Sequence, residues 1–182
     1  MLKLAQAIDG LNEWLGRLVS WLALGMVIVM TTIVVLRYAF AEGMPWQQEL
    51  VRFMHGILFL AGAAYALKHE ALVRVDVLYQ GMCERKQAIV NIIGTVLFLF
   101  PTCFAMIYFT WGYVMGSWHI LEGSSEYQGM PGVFLFKSFM WVCGATVALQ
   151  GVSLIIHSIR VIKHQEHEPK SNVGLQESMH HD

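Results

Sequence analysis

Four stretches of this chain, residues 18–36, 53–67, 87–121 and 138–159, contain no Asp, Glu, Lys or Arg, and together they make up half of its 182 residues. A helix in a soluble core keeps a charged outer face, so its charges return every turn or two. An uncharged run of about 20 residues instead matches the ~30 Å hydrocarbon core of a bilayer. The pattern therefore predicts an all-α integral membrane protein with four transmembrane helices, at about residues 18–38, 48–68, 88–116 and 136–160. It excludes a soluble globular enzyme. A formal net charge of −1 and the lack of a Lys/Arg cluster exclude a nucleic-acid binder, which must neutralise phosphates.

Residues 1–17 carry Asp9 and Glu13 and a helical stripe of Leu4, Ile8, Leu11, Leu15 and Leu18. They read as an amphipathic helix running into the first span, not as a cleaved signal peptide. The second uncharged run has only 15 residues, but a helix from about Pro45 to Lys68 reaches across, with Pro45 in the first turn, where its missing N–H is harmless. The third is 35 residues long, and Pro101 is its candidate kink. Tyr108, Trp111, Tyr113 and Trp118 mark its outer interfacial end. Residues 72–79 alternate as a strand would, but Leu72, Val75, Leu78, Tyr79 and Met82 also fit the stripe of a short helix on the cytoplasmic surface, with Asp76 as its cap. Residues 161–182 read as a disordered polar tail.

Positive charge sets the orientation. With four spans, nine Lys and Arg fall on the face of the two termini and the second connector, against three (Arg37, Arg52 and Lys137) on the other. Both termini are expected in the cytoplasm.

Chemistry is sparse. Cys83, Cys103 and Cys143 form neither a disulfide framework nor a CxxC site. No catalytic, metal or cofactor-binding residues are expected. A proton- or ion-coupled carrier needs an ionisable group near the midplane, and no span has an Asp, Glu, Lys or Arg there. His55 and His119, near the outer ends of their helices, admit an alternative: a haem-binding membrane anchor of a respiratory redox enzyme. Imidazoles simply meeting interfacial water are the simpler reading. Gly112-x-x-x-Gly116, Gly144-x-x-x-Ala148 and Ala61-Gly62-Ala63-Ala64 are smooth patches for helix packing, within the bundle or between subunits. Charges at helix ends (Arg37, Glu42, Glu49, Arg52, Glu122, Lys137) are costly beside lipid unless hydrated or paired.

Those same positions carry a resemblance. Leu36-Arg37-Tyr38-Ala39-Phe40 at the end of the first span, Trp46-Gln47-Gln48-Glu49-Leu50, Val73-Arg74-Val75-Asp76, and Glu122-Gly123-Ser124 leading through Pro131 and Lys137 to Leu149-Gln150-Gly151 stand in this order. With them the chain resembles the four-span small membrane subunit (Q-type) of a tripartite ATP-independent periplasmic (TRAP) transporter, over about residues 8–160. Leu72 departs from it, since a polar residue often precedes the V-R-V-D motif there. The resemblance implies a non-catalytic subunit of a Na⁺-coupled importer of organic acids in the bacterial inner membrane. Its partners would be a large elevator-type membrane subunit, a periplasmic substrate-binding protein and the lipid bilayer. Arg37, Glu42, Trp46, Glu49, Arg52, Arg74, Asp76, Glu122, Ser124, Lys137 and Gln150 are the implied interface or structural residues.

Overall fold

A computed structural model describes residues 2–41, 43, 45–69, 82–125 and 129–167. The described residues are helical apart from short connectors. α1 is Leu2–Ala39, α2 Pro45–Lys68, α3 Glu84–Gly94, α4 Phe100–His119 and α5 Val133–His167; a π-helical stretch, Thr95–Leu99, joins α3 to α4. α3 through α4 forms one span, so four helices are long and apolar enough to cross a membrane.

Each helix end has a local cause. α2 opens on Pro45, as its lack of an N–H and its fixed φ favour. α4 closes in a Schellman turn: Leu121 takes φ 47°, its N–H bonds to the Trp118 carbonyl, and the Glu122 N–H bonds to that of Ser117. α5 starts from Gly132, whose carbonyl accepts from the N–H groups of Leu135 and Phe136 and whose φ of 105° an L-residue resists. Gly132→Ala should therefore cost about 1–3 kcal/mol, read as a lower melting temperature in detergent. The feature at Pro101 is a change of hydrogen-bond register in the turns before the ring, where the Phe100 N–H bonds to the Thr95 carbonyl, five residues back.

α5 is the hub. It packs against α1, α2, α3 and α4, and α1 also packs along α2. α3 and α4 pack on α5 alone to any extent, so most of their circumference stays open. The helices approach through small residues: Gly16 against the Tyr65 ring, Gly56 against Phe136, Gly144 against Ile107, and Gly151 against Leu99 and Phe100. Of the smooth patches, Ala61 and Ala64 are buried and Gly144 lies inside the bundle, whereas a Cβ at Gly112 or Gly116 would meet nothing.

α1 departs from the leucine stripe read in the sequence. Its buried face is Ala5, Ile8, Asn12 and Val19, while Leu4, Leu11 and Leu18 are exposed. The reason is the solvent. Between helices in a bilayer, small and polar groups gain from close packing and hydrogen bonds, and large apolar groups lose nothing by facing lipid. α1 runs unbroken through residue 17, and its first turns extend alongside α5. α5 continues to His167, past the boundary at 160 expected from charge; the surface helix expected at 72–79 and the tail from 168 on lie outside the described residues.

Candidate functional site: two polar belts

Polar side chains gather at the two ends of the bundle. On α2 the marker residues of the two belts, Glu49 and Lys68, are 19 positions apart. At 1.5 Å per residue that is about 28 Å, close to the ~30 Å of a hydrocarbon core. Arg52 belongs to the first belt, one turn in from Glu49; between the belts, at residues 18–36, 53–67, 87–119 and 138–159, the described spans carry no Asp, Glu, Lys or Arg.

The belt at the Glu49 end is built around the α4–α5 connector. Glu49 is buried on α2 although Trp46 and Arg52, three positions away on either side, are exposed. One carboxylate oxygen accepts from the Ser124 hydroxyl and the other from the Met130 backbone N–H at 2.7 Å. The Ser124 N–H also bonds to the Met130 carbonyl at 3.2 Å, closing the connector on itself. Gly129 lies so close that a Cβ there would stand 2.8 Å from the Glu49 carboxylate and overlap Ser124. The connector is thus clamped onto α2 by a buried anion that backbone and hydroxyl donors satisfy.

A second link sits beside it. Lys137, buried on α5, donates to Glu122 at 2.5 Å and lies 3.9 Å from the centre of the Tyr113 ring, a cation–π arrangement. The hydrogen bond from the Lys137 ammonium holds the Glu122 carboxyl below the usual carboxylate range. Because the folded value is depressed, this link stabilises the fold at neutral pH and is lost as pH falls through that value. Glu122→Gln should flatten the acid limb of a thermal-stability profile below about pH 5, where the unfolded-state carboxylate begins to protonate, and leave the profile above it unchanged in slope. Aromatic pairs continue the seam: Phe53 on Phe136 with centroids 4.8 Å apart, Trp111 on Trp141 at 4.7 Å, and a Trp118 indole N–H donating to Ser138 at 2.8 Å. Glu49, Arg52, Tyr113 and Lys137 help line a cavity of 290 Å³.

At the Lys68 end three helices converge on two carboxylates of α1. Asp9 accepts from Ser153 at 2.7 Å and Gln150 at 3.1 Å and pairs with His157 at 3.1 Å, all on α5. The Asn12 amide donates to Gln150 at 2.7 Å; both side chains are buried. Glu13 binds Lys68 at 2.7 Å and His69 at 2.8 Å, with Arg17 at 3.2 Å. The Lys68 ammonium also donates to the Asp9 carbonyl at 3.1 Å.

The structure therefore brings together Glu49, Ser124, Glu122 and Lys137, and places Gln150 in a different cluster about one bilayer away. Arg37 and Trp46 are exposed near the Glu49 end, with Arg52 on the rim of the cavity. Glu42, Arg74 and Asp76 lie outside the described residues. Asp9, Asn12, Glu13, Ser153 and His157 were missed as site residues. Their signal was available: an amphipathic leader with two carboxylates and an Asn on one helical face, and a Gln, Ser and His at spacings of three and four on the last span. Among the described residues no group of three or more His, Cys, Asp or Glu is placed to hold a metal ion. His55 and His119 are exposed. The arrangement is one of latches, with charges joined to donors to tie helix ends together.

Residues 26–161 match the family described as tripartite ATP-independent periplasmic transporters, DctQ component. A Haemophilus influenzae protein, carrying the provisional name of a TRAP transporter small permease protein, is 23% identical over 158 residues, spanning 87% of this chain and 88% of its own length. No solved structure matches. The redox-anchor alternative draws no support from these similarities. The four long apolar helices and the family match over most of the chain lead to one assignment: this multi-pass membrane protein belongs to the DctQ-component family, the small permease subunits of TRAP transporters.

Proposed function

We propose that the chain is the non-catalytic small permease subunit of a Na⁺-coupled TRAP-type importer of organic acids in the bacterial inner membrane. It scaffolds a large elevator-type membrane subunit and helps dock a periplasmic substrate-binding protein. In this reading the Glu49 end is periplasmic and the Lys68 end, with both termini, cytoplasmic. The nine-to-three division of Lys and Arg supports that orientation. The observation that carries the role is the placement of ionisable groups: they latch helix ends, and the interior of the spans offers no charged site for an ion or an organic acid. Substrate and Na⁺ then bind on the large subunit. The clamped α4–α5 connector supplies a fixed periplasmic surface, and Glu42, which the sequence puts in the α1–α2 connector, adds a charge on the same side of the membrane. Arg74 and Asp76 brace the cytoplasmic connector.

Affinity purification of the full chain in mild detergent tests the assignment. A large, very hydrophobic membrane partner should accompany it, and uptake of an organic acid should need both chains and Na⁺. Uptake by this chain alone in proteoliposomes would sink the scaffold role. For topology, alkaline phosphatase fused after Asp182 should be inactive and fused near Gly129 active; the reverse pattern refutes the orientation.

A further inference from the structure

The C-terminal end of α4 presents two large apolar side chains to its surroundings. Ile120 and Leu121 keep 72% and 67% of their surfaces exposed. The residues on either side of them are fixed to α5. Before them, the Trp118 indole donates to Ser138, and its ring stands edge-on to Phe134 with centroids 4.8 Å apart. After them, Glu122 is held by Lys137. Ser117 and Val114, one and two turns back on the same helix, are buried. The apolar pair therefore stands on a fixed arch.

Lipid does not account for it. Tyr113 lies at the level of the Lys137 belt, where the ammonium meets its ring. Ile120 is seven residues further on, about 10 Å at 1.5 Å per residue. The headgroup layer outside the hydrocarbon is only about 5–8 Å deep on each side. Acyl chains thus end short of the pair. Its exposure also comes with strain. Leu121 takes φ 47°, the left-handed region that a bulky side chain resists and glycine adopts freely. A glycine would close the same turn, so the turn itself does not need this side chain. Ala41, the other non-glycine residue at positive φ among the described residues, carries only a methyl group. A strained, exposed apolar residue on a rigid support points to a contact made with something else.

The size and height of the patch select its occupant. The two side chains offer on the order of 300 Å², against ~800 Å² per partner in a stable interface, so they do not by themselves hold a second copy or a permanent subunit. An apolar pair of this size suits the anchor of a transient contact, seated in a recess of the partner. Beyond the headgroups, that partner comes from the aqueous side. We propose that Ile120 and Leu121 are the apolar anchor through which the chain engages the soluble substrate-binding protein, by insertion into an apolar recess on that protein. The inference rests on the functional reading above, which takes this end of the bundle as periplasmic.

The test uses the full chain with its large membrane subunit in proteoliposomes. Purified substrate-binding protein is added outside, and solute uptake is followed as its concentration rises. Leu121→Gly keeps the turn and removes the side chain. It should raise the half-saturating concentration of binding protein by about fivefold or more, with the rate recovering at saturation and no fall in melting temperature. Ile120→Ser, at a residue with φ −100°, should shift that concentration in the same direction. A half-saturating concentration that neither variant moves overturns the anchor and leaves the functional reading standing. Loss of the large subunit on purification of either variant also overturns it, by assigning the patch to that subunit. So does a Leu121→Gly chain that melts clearly earlier, since the side chain would then belong to the fold. Wild-type uptake that is independent of binding protein removes the functional reading, and the anchor with it.

Discussion

Glu49→Lys should cut solute uptake by roughly tenfold or more, because it destroys two charge-assisted hydrogen bonds and puts a cation where donors converge. The Ser124 hydroxyl and the Met130 N–H both point at the native carboxylate, and Lys137 and Arg52 line the same cavity. A lysine there can accept from none of them and is repelled by two. The α4–α5 connector would then lift from α2. Limited proteolysis should show new cleavage around residues 122–131, at matched levels of protein in the membrane. Glu49→Gln keeps an acceptor oxygen and should fall between the two. If Glu49→Lys transports at the wild-type rate with the connector still protected, Glu49 is not the clamp.

The second large effect is expected at the opposite belt. Gln150 bridges two helices: it donates to Asp9 and accepts from Asn12, with 4% of its surface exposed. Gln150→Leu strands the Asn12 amide, whose own oxygen already lacks a partner. A buried polar group left unsatisfied costs about 1–3 kcal/mol, so the melting temperature in detergent should fall clearly. The double variant Asn12→Leu/Gln150→Leu discriminates the cause. Replacing both partners by apolar groups of similar shape is close to neutral, so the double should recover much of the loss. Simple addition of the two single effects would mean that packing, and not the hydrogen bond, holds α1 to α5 here. Ser153→Ala, which removes only one of the Asp9 donors, should have a smaller effect in the same assay.

The spans were legible in the sequence because a bilayer imposes a long-range rule on local composition: charges are expelled over about 20 consecutive residues whatever the helices pack against. Pro45 as a helix start was legible for a local reason, its missing N–H. The face of α1 was not. Counting large apolar residues finds the buried stripe of a soluble helix, and in lipid that count finds the outside. Lys137 illustrates a further gap. From the sequence it was one of several interfacial charges at even standing, whereas in the fold it is buried, paired with Glu122 and covered by Tyr113. Arg37, at the end of α1, is the same kind of residue in the sequence and is exposed in the fold.

The sequence by itself determined the number of spans, the charge asymmetry across them and the motifs that belong to the family, since each follows from composition or local order. Only the tertiary structure decided which charges meet. Asp9 and His157 are 148 positions apart and Glu49 and Met130 are 81 apart. Pairings of that range depend on which helices are neighbours and at what height, and a pattern confined to one helix carries neither. By making α5 the hub, the fold turns scattered end charges into two latches about one hydrocarbon thickness apart and leaves the third span open along most of its length.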